Sequence, residues 1–147
     1  MKSVLGALLG ISLLGCGPGD TVALSVQGDT VALSVQVAVP ATVPTIDAGE
    51  LYLSLWTYDP GIADARATLA DVDRAAFRHA VGERNTLVMR VAGHVPDGWR
   101  YYITVEGCRS TPQGRVAVLW DGIEGTAAPS VVEMQYRTTP TPCQAAP

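Results

Sequence analysis

A chain of 147 residues, 48% hydrophobic and 16% charged, can fold as one domain with its own core and is too apolar for a disordered one. Ten basic residues face fourteen acidic ones, Lys2 is the only lysine, and the arginines are scattered. No basic tract exists, which argues against nucleic acid or an anionic lipid surface as partner.

At the N-terminus, Lys2 supplies a short positive region, and residues 4–14 form an apolar run interrupted only by Gly, Ala and Ser. A spanning helix needs roughly 20 apolar residues, so the run is expected to be a secretory signal rather than an anchor. Leu13-Leu14-Gly15-Cys16 then resembles the lipobox of bacterial lipoproteins, with Leu14 where a smaller residue is commoner. The resemblance implies a diacylglyceryl group on the Cys16 thiol, cleavage before that residue and acylation of the new amino terminus. It places the chain in the bacterial envelope. Gly17 rather than aspartate after the cysteine implies the outer membrane if the source is Gram-negative. The alternative is a plain secretory signal with an incidental cysteine. With Cys16 given to lipid, Cys108 and Cys143 remain as a disulfide pair in a compartment that permits one.

Residues 19–27 and 28–36 both read GDTVALSVQ, an identity that points to a recent duplication rather than a solenoid. Val22, Leu24 and Val26 alternate, as do Val31, Leu33 and Val35, but the nine-residue offset is odd. In one straight strand the two sets would face opposite ways. The chain is therefore expected to break at Gly28-Asp29, a permissible two-residue hairpin turn. The second copy continues its alternation into Val37 and Val39 and is expected to be the native strand, with the first copy as tether or added edge strand.

After a proline-containing loop, residues 50–58 alternate: Leu51, Leu53 and Leu55 on one side, Tyr52, Ser54, Trp56 and Tyr58 on the other. Asp59-Pro60-Gly61 is a turn. Residues 62–81 change period. Ala63, Ala67, Ala70, Phe77 and Val81 share a helical stripe broken by Arg74, and Gly82 is available as a stop, so a short helix or an irregular crossover is expected there. Strand signals return at Leu87, Met89 and Val91, then at Tyr101, Ile103 and Val105 against Tyr102, Thr104 and Glu106. Val116, Val118 and Trp120 follow, then a glycine-rich loop over 121–125, and last Val132, Met134 and Tyr136. Six or seven short strands separated by turns predict a mostly β fold, an antiparallel Ig-like or transthyretin-like sandwich. The expected organisation is a signal over 1–15, a lipidated tether over 16–30, a sandwich over 31–138 and a Pro-rich tail over 139–147. The pattern is loosely similar to small β-sandwich envelope lipoproteins, including the pilotin type that assists secretion-system assembly.

Catalytic parts are sparse. His79 and His94 form no HExxH unit, there is no Gly-x-Ser-x-Gly or P-loop, and both histidines read as ordinary surface residues. Asp71-Val72-Asp73, with Asp59 and Asp64 upstream, lacks the ligand alternation and central glycine of a calcium loop. Arginines interleave with it, so ion pairs on a solvated helix explain it more simply. No metal or cofactor is expected. Tyr52, Trp56 and Tyr58 form the candidate binding face, because aromatic rings on a sheet surface suit sugars or an apolar partner edge. The competing reading buries them as core. The loop Trp120-Asp121-Gly122-Ile123-Glu124-Gly125 is a second candidate, read more simply as a turn.

The expectation is a non-enzymatic envelope lipoprotein, lipid-anchored through Cys16, whose sandwich meets an envelope protein or glycan. A pilotin-like assembly chaperone and a small hydrolase or metal-dependent enzyme are the alternatives.

Overall fold

A computed structural model describes residues 24–27, 30–123 and 131–144. The signal, Cys16, the Gly28-Asp29 turn, Glu124-Gly125 and the last three residues lie outside the described residues. Two sheets face one another. In the first, β2 (Thr30–Val39) pairs antiparallel with β5 (Asn85–His94) along its whole length, from Thr30↔His94 to Val39↔Asn85. The other side of β2 is shared by β1 (Leu24–Gln27), antiparallel, and β8 (Val131–Glu133), parallel. The second sheet runs β4 (Thr68–His79), β3 (Ile46–Tyr58), β6 (Arg100–Thr111), β7 (Gly114–Ile123), β9 (Gln135–Pro142), all antiparallel.

Alternation fills the space between the sheets. Val31, Leu33, Val35, Val37 and Val39 of β2 are buried, as are Met89 and Val91 of β5. Leu51, Leu53 and Leu55 meet them from β3, with Ile103 and Val105 from β6 directly alongside. The second repeat copy thus supplies a full-length core strand, and residues of the first copy add an edge, with Gln27 paired to Thr30.

Residues 62–81 correct the expected helix. Residues 61–67 turn, and Thr68–His79 is a strand of twelve residues pairing with β3 from Thr57↔Thr68 to Ile46↔His79. Alanine favours helix in isolation, but β3 otherwise presents an open edge, and a ladder along it outweighs a propensity of tenths of a kcal/mol per residue. Val72, Arg74, Ala76 and Arg78 are exposed; Phe77 and His79 are buried. Gly82, with φ 92°, serves the β4–β5 turn rather than a helix end, and its N–H donates to the Ala41 carbonyl at 2.8 Å.

Asp71 and Asp73 stand opposite Leu55 and Leu53 and so belong to the inward-facing set of β4. Their Oδ2 atoms accept from the backbone N–H groups of Ala92 (2.8 Å) and Arg90 (2.9 Å) on β5. The two aspartates therefore cap the free edge of the first sheet and close one side of the sandwich, instead of forming ion pairs on a helix. Inward-pointing charges on an edge strand are a recognised guard against edge-to-edge pairing. Gly93 permits the close approach here: a Cβ on it would lie 3.0 Å from both Ala70 Cβ and Leu55 Cδ2.

Two further departures come from strands changing course. Val132, Met134 and Tyr136 do not form one strand: β8 joins the first sheet and β9 the second, with Met134 between them donating its N–H to the Ala38 carbonyl at 2.8 Å. Switching sheets at a corner breaks the alternation, so Met134 is buried and Tyr136 is exposed. In β7 the register slips between Gly107↔Leu119 and Cys108↔Ala117, and Ala117, Val118 and Leu119 are all buried. Asp121, Gly122 and Ile123, expected in a loop, continue β7 opposite Val105, Thr104 and Ile103.

Candidate functional site

The outward face of the five-stranded sheet carries the polar and aromatic residues that alternate with the core set. Register places Tyr52 beside Glu106, Ser54 beside Thr104 and Trp56 beside Tyr102. The Trp56 and Tyr102 rings lie 6.4 Å apart and nearly parallel, at 14°. Tyr58 tilts against Tyr102 at 6.0 Å and 55°. The Trp56 indole N–H donates to Thr104 Oγ1 at 2.9 Å, which fixes the ring across the strand pair. A bulge falls at this point, between Leu55↔Asp71 and Trp56↔Leu69; bulges commonly re-aim a side chain in this way.

The β3–β4 connection forms one wall. Asp59 Oδ1 accepts from the Gly61 N–H at 2.8 Å and a second turn closes from the Ala65 N–H to the Ile62 carbonyl at 3.2 Å, bringing Arg66 and Ala67 alongside Trp56. The tail forms the far end. Cys108 and Cys143 are joined by a disulfide, with Cα atoms 6.2 Å apart, and the Gln144 N–H donates to Glu106 Oε2 at 2.9 Å. Between these walls runs a groove of about 810 Å³, with Tyr102, Thr104 and Glu106 along β6. Glu106 is buried, as a carboxylate held by hydrogen bonding can be. Ser54 Oγ, on the same face, is fully buried and has no hydrogen-bond partner among the described residues.

Beyond Glu106 the face closes over. Tyr52, at 1% exposure, lies under the Arg115 guanidinium, whose Cζ is 5.0 Å from the ring centroid. The Tyr52 hydroxyl donates to Glu50 Oε2 at 2.9 Å, and Arg115 Nη2 contacts both Glu50 Oε2 and the Tyr52 oxygen. The three aromatics of β3 therefore divide: Tyr52 is packed beside Cys108 as part of a small second core, whereas Trp56 and Tyr58 are half-buried on the open part of the face.

His79 is buried rather than a surface residue. The Val43 carbonyl, which can only accept, lies 2.9 Å from Nε2, so Nε2 donates to it, and Nδ1 lies 2.6 Å from Asn85 Oδ1. The ring ties the β2–β3 loop to the start of β5. His94 is exposed at the opposite end of β5. Among the described residues, Glu106, Cys108 and Cys143 have ligand atoms within 4.8 Å of one another, but both sulfurs are committed to the disulfide. The lipidation residue Cys16 lies outside the described residues. Sequence reasoning did not mark Arg66, Tyr102, Thr104, Glu106, Arg115 or Gln144 as site residues. The one available signal was the alternation placing Tyr102, Thr104 and Glu106 on one side of a strand; that this side adjoins Trp56 depends on β3–β6 pairing.

The fold and face thus define a two-sheet β-sandwich with an aromatic and polar groove on its larger sheet. No family model matches the chain, and no curated protein or solved structure matches it either.

Proposed function

We infer that the chain is a non-enzymatic lipoprotein of the bacterial envelope, held at a bilayer by lipid on Cys16, whose sandwich binds another envelope component, protein or glycan. In a Gram-negative cell the membrane is the outer one. The lipobox-like Leu13-Leu14-Gly15-Cys16 supports the location. The observation that carries the binding role is the groove along Trp56, Tyr102 and Glu106, where half-buried rings and polar groups meet on one sheet face. Sites that hold ligands combine aromatic walls with a few placed polar groups in this way.

Two measurements test the reading. Cys16→Ser should move the protein from the membrane to the soluble fraction; continued membrane association, or an unmodified mature N-terminus by mass spectrometry, would refute the anchor. A photo-crosslinking residue at Arg66, on the groove wall, should capture an envelope component in cells, whereas one at Val88 on β5 should not. Equal capture at both positions, or at neither, would refute the binding face.

A further inference from the structure

We propose that the groove takes an uncharged saccharide, with one pyranose ring laid against Trp56 and Tyr102; this rests on the binding-module reading above and narrows it to a ligand class. A sugar ring has an apolar C–H face and a rim of hydroxyls. The groove offers matching surfaces: the half-buried Trp56 ring, stacked with Tyr102, and Thr104, Glu106, Arg66 and Gln144 around them. Its volume, about 810 Å³, lies within the range of roughly 300–1,000 Å³ that encloses small ligands.

The polar residues discriminate among occupants. A lipid chain or an apolar peptide would bury the Arg66 guanidinium against hydrocarbon and strand its donors. A polyanion would bring like charge against the buried Glu106 carboxylate. Among the described lining residues a cation would find one carboxylate, Glu106, and one guanidinium, Arg66. Hydroxyl groups both donate and accept, so a polyol can satisfy a carboxylate and a guanidinium at once.

The test uses the full-length lipidated protein in detergent on an array of neutral and anionic oligosaccharides, followed by calorimetric titration of the strongest neutral hit. The expected result is retention of a neutral oligosaccharide. Trp56→Ala should weaken its binding about tenfold, Trp56→Phe by no more than about threefold, and Glu106→Gln by several-fold with the thermal midpoint preserved. Glu106→Gln and Trp56→Phe keep the shape of the face, so the test stands even where Trp56→Ala unfolds. Retention of anionic saccharides alone, or a neutral hit that neither Trp56→Phe nor Glu106→Gln weakens, would overturn the proposal. A blank array alongside a protein captured at Arg66 would overturn the saccharide and leave the binding module standing; a blank array with nothing captured would sink both.

Discussion

Tyr52 and Trp56 occupy the same face of the same strand, yet they are different kinds of residue. Tyr52 is enclosed beside the disulfide, with its hydroxyl donating to Glu50 and its ring beneath Arg115. Trp56 keeps part of its ring open at the groove. Truncation should separate the two roles. Tyr52→Ala should destabilise by about 3 kcal/mol, at the low end for a large buried aromatic, because Arg115 can settle into part of the space. Trp56→Ala should cost about half of that. Chemical denaturation measures both, and equal losses would show that Trp56 is core. What the sequence displayed was an aromatic stripe; which members of it were covered depended on Arg115 and Cys143, contributed by segments far along the chain.

At the scale of elements, β4 shows a strand doing two jobs with little hydrophobic area. Its backbone extends the larger sheet, and its aspartates cap the edge of the smaller one. Such bonds to exposed N–H groups compete with water, so each is worth less than a buried one. Replacing Asp71 and Asp73 together by alanine should cost roughly 1–2 kcal/mol and promote self-association through the uncovered β5 edge. The double asparagine variant keeps an acceptor at each position and should lose less. Urea unfolding and light scattering read the two effects; an alanine pair as stable and as monomeric as the parent would show that the caps are idle. The opposite edge is guarded differently. Pro140 and Pro142 fall in β9 at the rim of the five-stranded sheet, where a residue without an N–H interferes with further pairing. The helix expected over 62–81 failed because its inward positions are Asp71, Asp73, Ala75, Phe77 and His79, so a period-two pattern was hidden in a set with one large apolar residue.

For the whole molecule, the disulfide couples stability to the site. The bond spans 35 residues of chain, and closing such a loop is worth about 4 kcal/mol on the chain-entropy account. It also holds Gln144 against Glu106, so the groove's end wall depends on it. The Cys108→Ser, Cys143→Ser double variant should therefore lose about 4 kcal/mol in guanidinium unfolding. A free-thiol assay on the native protein should find neither cysteine reactive; two reactive thiols would contradict the bond.

By itself the sequence determined the features that short-range pattern sets. Alternating valines and leucines assigned β2, β3, β5 and β6 and the faces they bury, and the continuation of the second repeat copy into Val37 and Val39 marked it as the core strand. Cysteine bookkeeping, once the lipobox resemblance was granted, paired Cys108 with Cys143. Only the tertiary structure decided the features that require knowing which strand lies beside which: β4 as a strand, the caps formed by Asp71 and Asp73, the buried His79, the split at Met134, and a groove assembled from β3, β6, the 59–67 connection and the tail. Period and propensity are properties of neighbours in the chain. Pairing, capping and enclosure arise between segments that the chain brings together only on folding.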